Sequence, residues 1–173
     1  SVDTEWSEES VLQGVQEDGN LFYILTYSRG FTEDETKKAH QEIAGNIVKA
    51  ARKTGRDFLI MSRGDSTLRG HYPLETQVLR DVLSREGQQE TDGEVICPFF
   101  KEGGRFTIGN IHYVRYGREL VPAGETEFAA DRTFGYRSSN LADYVEEKTK
   151  GAYPAGEVIC IGLDDLRHGR VDK

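Results

Sequence analysis

The segment 62–75 holds the side chains with the most informative chemistry, and it reads Ser-Arg-Gly-Asp-Ser-Thr-Leu-Arg-Gly-His-Tyr-Pro-Leu-Glu. It contains one carboxylate, two hydroxyls and two guanidinium groups, from Asp65, Ser66, Thr67, Arg63 and Arg69. Guanidinium groups bind carboxylates through paired hydrogen bonds, while carboxylates and hydroxyls bind the hydroxyl groups of sugars. This mixture of side chains therefore predicts a site for a small acidic sugar.

A simpler interpretation of the same segment is a structural loop. Its Asp, Ser and Thr would then cap a helix, and its arginines would pair with surface acids. Seven of the eight residues at positions 63–70 are charged, hydroxylic or glycine. This density favours the ligand site over the structural loop.

The flanking residues predict the elements that position this segment. Asp57–Met61 is a short apolar run typical of a buried strand. After the segment, apolar residues recur at helical spacing and Pro73 suits a first helical turn; they are Leu74, Val78, Leu79, Val82 and Leu83. The polar residues thus lie between a strand end and a helix start, where open α/β sheets bind ligands and free backbone N–H groups favour anions.

Two other predicted strand ends carry related side chains. Leu21–Leu25 is followed by Thr26, Ser28 and Arg29, and Glu94–Cys97 by Gly103, Gly104 and Arg105. Parallel strands bring their carboxyl ends to one edge of a sheet, so we expect these loops to face a single crevice. Four arginines would then converge, from positions 29, 63, 69 and 105. Such a cluster indicates an anionic small-molecule ligand.

The alternation of strands and helices predicts the fold class. Helices are expected over 7–16, from Thr32 to Gly55, after Pro73, and from Ser138 or Ser139 to Gly151, with a last strand at Val158–Leu163. We therefore predict a doubly wound, largely parallel, Rossmann-like α/β sheet in three layers. A small antiparallel excursion is expected where Gly109-Asn110 separates 106–108 from 111–116.

Composition excludes several classes of function. The 173 residues favour one domain, and the net charge of −8 argues against nucleic-acid or membrane-surface binding. The four histidines and two cysteines lack metal-ligand spacing, so no metal site is predicted. Cys97 and Cys160 lie in apolar runs and are expected to be buried core thiols of a cytoplasmic protein.

Several blocks of the chain resemble the four-carbon acid sugar kinases, in their N-terminal substrate-binding domain. The most specific is Asp-Ser-Thr-Leu-Arg-Gly-His at 65–71. Thr-x-Ser-Arg at 26–29, Pro-Phe-Phe-x-x-Gly-Gly-Arg-x-Thr-x-Gly at 98–109 and Glu-Thr-x-Phe-Ala-x-Asp at 125–131 also match. Together these blocks extend over about residues 21–140.

The resemblance implies an ATP-dependent kinase that phosphorylates the terminal hydroxyl of a threonate, erythronate or oxo-tetronate. Asp65 would orient substrate hydroxyls or accept the proton of the attacking hydroxyl, and Arg105 would neutralise charge during transfer. Arg69 and Gly70 would hold the substrate carboxylate. The remaining residues expected in the pocket are Ser28, Arg29, Arg63, Ser66, Thr67, His71 and Gly104.

The chain departs from the family pattern in two ways. The family's first strand with its Asp-Asp-x-Thr-Gly segment has no match, and no Walker-type phosphate loop is present. We therefore expect residues 1–173 to be a single substrate-binding domain. ATP with Mg²⁺ would be bound mainly by a further, C-terminal domain, and this chain alone would have little kinase activity.

Two other functions fit the same residues. One is a non-catalytic sensor domain that binds an acid sugar. The other is a different sugar-acid enzyme, such as an isomerase or dehydratase, which would need a metal cluster or acid–base pair that the sequence does not present. Pairing into a homodimer is a further expectation for an enzyme of this size class.

Overall fold

The computed structural model describes residues 1–87 and 90–170, and these form two compact units. The first unit comprises Ser1–Gly64 and His71–Val95, and the second comprises Asp65–Gly70 and the chain from Ile96 onward. The fold is α/β, with a two-stranded parallel sheet in the first unit and a three-stranded antiparallel sheet in the second. None of the described helices combines the length and apolar composition needed to cross a bilayer.

The helices of the first unit begin at the residues that local capping rules favour. Helix α1 (Glu8–Gln16) starts after Ser7, whose hydroxyl accepts a hydrogen bond from the backbone N–H of Ser10. Helix α2 (Glu33–Thr54) starts with a capping box between Thr32 and Glu35 and ends at Gly55, which has φ +66°. A side-chain oxygen at each start satisfies backbone N–H groups that have no partner inside the helix. These predicted boundaries are confirmed.

Helix α2 carries the core of the first unit. One of its faces packs on α1 in a cluster formed by Val11, Ile43, Ile47 and Ala50. A second cluster joins Ala44 of α2 to Leu79 and Val82 of helix α3 (Leu74–Arg85). The apolar stripe predicted for α2 is therefore a packing surface for two helices.

The sheet of the first unit is shorter than the sequence predicts. Strand β1 (Val2–Asp3) pairs in parallel with β2 (Tyr23–Ile24), which is only the centre of the predicted strand Leu21–Leu25. The predicted strand Asp57–Met61 has no ladder partner. Its Phe58 and Ile60 pack against the α1–α2 cluster, whereas Leu59 and Met61 are 87% and 62% exposed. The alternation of apolar residues thus predicts which side chains of this segment face the core. It does not predict a neighbouring strand, which a β-ladder requires.

The second unit contains an antiparallel meander of three strands. Strands β3 (Arg105–Ile108) and β4 (Ile111–Tyr116) pair in the register Arg105↔Val114 and Thr107↔His112. Asn110 has φ +68°, as a tight hairpin turn requires, so the predicted antiparallel excursion is confirmed. The third strand, β5 (Glu119–Pro122), was not predicted.

Two further predictions in the second unit are wrong. Helix α4 (Leu141–Lys148) is capped by Asn140, rather than by Ser138 or Ser139. The predicted strand Val158–Leu163 forms no ladder, and Leu163 instead begins helix α5 (Leu163–His168). Ile159 and Ile161 are exposed, because the segment pairs with no other strand among the described residues and so joins no sheet that could cover them.

The segment Glu94–Cys97 also lacks strand pairing, so that strand prediction is wrong. Cys97 is exposed and Cys160 is half-buried, and neither forms a disulfide bond. The prediction that both cysteines are buried in the core is therefore wrong as well. Its basis was the apolar character of the flanking residues, which guarantees burial only when the strand joins a sheet.

Candidate functional site

The short loop of residues 65–70, here called the 65–70 loop, is closed on itself by polar contacts. The Arg69 guanidinium lies 3.0 Å from Oδ2 of Asp65, and these side chains are 10% and 25% exposed. Oδ1 of Asp65 accepts a hydrogen bond from the Ser66 N–H at 2.8 Å, and Nε of Arg69 donates to the Ser66 carbonyl at 3.1 Å. Carboxylate and guanidinium are thus held side by side in a largely buried position.

The backbone of this loop has an uncommon conformation at its centre. Thr67 and Leu68 have φ angles of +63° and +61°, a region that β-branched and bulky residues rarely adopt. The Tyr136 hydroxyl donates to the Thr67 carbonyl at 2.8 Å, and the Tyr144 hydroxyl donates to the Leu68 carbonyl at 3.1 Å. Backbone in such a region persists when its surroundings hold it, and these two tyrosines do so.

The two tyrosines form one buried support. Their rings meet edge to face, with centroids 5.6 Å apart. Burial raises the pKa of Tyr136 well above its usual value, so its phenol stays protonated and remains a hydrogen-bond donor. Tyr144 lies on α4, where the helical spacing predicted an inward position. Together they fix the carbonyl groups of the strained residues.

Arg105 joins the loop from the first strand of the meander. Its Nε donates to the Thr67 hydroxyl at 2.9 Å, and its Nη1 donates to the Gly103 carbonyl. Gly104 has φ +72°, and a Cβ built there would lie 3.3 Å from Cβ of Arg115. A glycine is therefore needed directly before Arg105 to turn the chain into β3.

Phe128 brings the two arginines together. The guanidinium carbons of Arg69 and Arg105 each lie 4.9 Å from the centroid of the Phe128 ring. Both distances are within the range of a cation–π interaction. One aromatic ring thus contacts two cations that come from different elements of the second unit.

A hydrogen-bonded acid accompanies this arginine pair. The Tyr116 hydroxyl donates to Glu127 at 2.5 Å. This bond lowers the pKa of Glu127, and the charges of Arg105 and Arg69 lower that pKa further. The same bond raises the pKa of the Tyr116 phenol. The negative charge of Glu127 therefore interacts favourably with the positive charges of the two guanidinium groups.

His112 is fully buried. It lies on the same face of the hairpin as Arg105 and Thr107, because Thr107 pairs with His112 and Arg105 is two residues from Thr107 on β3. Its Nδ1 lies 3.1 Å from the Thr107 hydroxyl, and its Nε2 has no hydrogen-bond partner among the residues that the structure describes. Burial, followed by the charge of Arg105, lowers the pKa of His112 to about 4. The imidazole is therefore neutral at physiological pH.

The second unit contains most of the predicted site residues. It brings together Asp65, Ser66, Thr67, Arg69 and Arg105, with Gly70 and Gly104 next to them in the chain.

The remaining predicted residues belong to the first unit, so their convergence on this site stays a prediction. Ser28 and Arg29 lie in a 3₁₀ turn, and Arg63 is exposed. His71 is buried, with its Nδ1 2.7 Å from the Thr36 hydroxyl and its N–H donating to Glu75.

Sequence reasoning missed the residues that hold the loop in place. Phe128 was part of a motif block but had no role, and Tyr136 and Tyr144 lie 69 and 76 residues from the carbonyls they bind. No local pattern reports such distant contacts. One signal was available in the sequence. Two arginines expected in the same site repel each other, so an aromatic ring such as Phe128, or an acid, has to lie near them.

Comparison with known proteins supports a sugar-binding role for this chain. The family model described as a sugar-binding N-terminal domain matches residues 4–172. Neither a curated protein nor a solved structure matches the chain significantly. Among the described residues, no group of three or more His, Cys, Asp or Glu is arranged to hold a metal ion.

Proposed function

Because the chain belongs to the sugar-binding N-terminal domain family, the N-terminal domain of the four-carbon acid sugar kinases, we propose that its second unit binds the carboxylate of a four-carbon sugar acid. The observation that carries this proposal is the placement of Arg69 and Arg105 over one ring beside Asp65. Two guanidinium groups favour a bound anion, and an adjacent carboxylate accepts hydrogen bonds from sugar hydroxyls.

Arg69 retains hydrogen-bonding capacity for such a ligand. The described contacts of Arg69 with Asp65 and Ser66 use two of the five N–H donors of its guanidinium group. The other donors are available to a planar carboxylate, which arginine binds in a forked geometry. Arg105, whose described hydrogen bonds go to uncharged oxygens, is the second candidate for anion binding.

In the whole protein, the proposed reaction is transfer of a phosphoryl group from ATP to the terminal hydroxyl of the bound acid. Asp65 would orient that hydroxyl or accept its proton, and Arg105 would offset the charge that develops on the transferred group. We assign no Mg²⁺ ligands to the described residues, which offer no suitable group of acids. ATP with Mg²⁺ would be bound mainly by another domain.

Three wider expectations belong to the same proposal. The first is a doubly wound, largely parallel sheet, of which the parallel pair β1 and β2 would be a part. The second is convergence of Ser28, Arg29, Arg63 and His71 on the bound acid. The third is a cytoplasmic, homodimeric kinase.

Calorimetric titration of the chain with D-erythronate, D-threonate and erythritol tests the binding proposal. We expect the two acids to bind and the neutral polyol erythritol to bind at least tenfold more weakly, because charge-assisted hydrogen bonds to the carboxylate dominate. Arg69→Ala should abolish binding of the acids, and because it also leaves the largely buried carboxylate of Asp65 without its ion-pair partner, circular dichroism must first show that the variant is folded. The matched control is Arg167→Ala, which removes a 69% exposed arginine of α5. Equal binding of erythronate and erythritol would refute carboxylate recognition.

The kinase step is tested separately on the full-length protein, by ATP turnover with the acid that binds best. Turnover would support the kinase. Tight binding without turnover would favour the sensor domain instead.

A further inference from the structure

Two like charges share a single aromatic ring in the second unit, and this arrangement needs a cause. The guanidinium carbons of Arg69 and Arg105 each lie 4.9 Å from the Phe128 centroid, so they are at most twice that distance apart. Of these two arginines, only Arg69 lies within ion-pair distance of a carboxylate among the described residues, namely that of Asp65. The described hydrogen bonds of Arg105 go to the Thr67 hydroxyl and the Gly103 carbonyl.

Phe128 adds to the attraction from Asp65 and Glu127 that offsets this repulsion. The face of an aromatic ring carries negative charge density and attracts cations, most strongly where water is excluded. Phe128 is half-buried, and Arg69 is only 10% exposed. The ring therefore contributes to the stability of both guanidinium groups, in addition to the polar contacts that each of them makes.

We propose that Phe128 is a positioning residue that orients Arg69 and Arg105 together for one bound anion, an inference that rests on the proposed function. A free arginine side chain loses considerable rotamer freedom when it binds a ligand. Stacking on Phe128 restricts both side chains before the anion arrives. The cost of ordering them is then part of folding rather than of binding.

The chain contains a matched arginine–phenylalanine contact outside the site. The Arg115 guanidinium lies 5.8 Å from the Phe106 centroid, on the same hairpin. Phe106→Leu therefore removes a ring of the same kind, in the same unit, that contacts a single cation among the described residues. It serves as the control for Phe128→Leu.

The experiment measures calorimetric affinity for D-erythronate and, as a simple anion, for sulfate. We expect Phe128→Leu to weaken erythronate binding about tenfold, since two cation–π contacts are lost. Phe128→Tyr should stay within about twofold of the wild type, and so should Phe106→Leu. Replacing Phe128 by 3,4,5-trifluorophenylalanine keeps the ring but weakens its negative face, and should give an intermediate loss. This last variant decides the question if Phe128→Leu does not fold.

A second readout does not depend on a sugar. In the wild type, the Nε–H proton resonances of Arg69 and Arg105 should be shifted by the ring current, and Phe128→Leu should abolish both shifts. If neither erythronate nor threonate binds but both shifts vanish and sulfate affinity falls, the proposed function fails and the positioning role stands. If a folded Phe128→Leu or the trifluoro variant binds erythronate within twofold of the wild type, the positioning role is overturned.

Discussion

Removing one hydroxyl from the buried tyrosine support should loosen the 65–70 loop. The Tyr136 hydroxyl donates at 2.8 Å to the carbonyl of Thr67, a residue that is 3% exposed and has φ +63°. Tyr136→Phe leaves the ring and its packing against Tyr144 in place. It deprives a buried carbonyl of its donor, which costs about 1–3 kcal/mol.

We therefore expect Tyr136→Phe to lower the free energy of unfolding by about 2 kcal/mol, a large fraction of the total for a small domain. Tyr144→Phe should lower it by about 1 kcal/mol, because its hydrogen bond to Leu68 is longer, at 3.1 Å. The double variant measures how strongly the two bonds act as a unit. Urea unfolding followed by circular dichroism gives these values.

The same variants should weaken erythronate binding, because Thr67 also receives the hydrogen bond from Arg105. The matched control is Tyr113→Phe on β4, for which the described residues show no hydroxyl hydrogen bond; it should change stability by less than about 0.5 kcal/mol. A Tyr136→Phe protein with wild-type unfolding and wild-type affinity would refute the idea that this tyrosine holds the loop.

Two further predictions concern stability. The pKa of His112 falls from 6.5 to about 4 on folding, so the unfolded chain takes up the proton first as the pH drops. The free energy of unfolding should therefore decline between about pH 6.5 and pH 4, by about 3 kcal/mol in all. Urea unfolding measured across this pH range should show a shallower decline for His112→Gln, and an equal slope would contradict the assignment. Gly104→Ala should destabilise the protein by about 1–2 kcal/mol, because Gly104 has a φ of +72°. Gly45→Ala within α2 should instead stabilise it by about 0.5–1 kcal/mol, since the added Cβ meets nothing within 4 Å. A shift of the melting temperature in the same direction for both variants would refute this contrast.

Features that depend on neighbouring residues could be read from the sequence. The Ser7 cap, the Thr32–Glu35 capping box and the Gly109-Asn110 turn each involve partners within a few positions, and all three form as predicted. Helix capping and hairpin geometry are set locally, by side-chain oxygens and by residues that tolerate positive φ.

Features that depend on distant partners could not be read in this way. Asp57–Met61 has the composition of a strand, but pairing requires a second strand that composition does not identify. For the site, the sequence indicated the 65–70 loop and Arg105, whose chemistry is carried by their own side chains. It gave no indication that Tyr136 and Phe128 support them, because those contacts cross 69 and 59 positions of the chain.

The assignment of Asp65–Gly70 to the second unit has a practical consequence for dissecting this protein. The six residues are encoded in the middle of the first unit, so a single cut at Ile96 cannot release the second unit intact. A fragment starting there would keep Tyr136 and Arg105 but lose Thr67, the residue both of them bind. Truncated versions intended to isolate the ligand site should therefore graft this hexapeptide back or retain the entire preceding sequence.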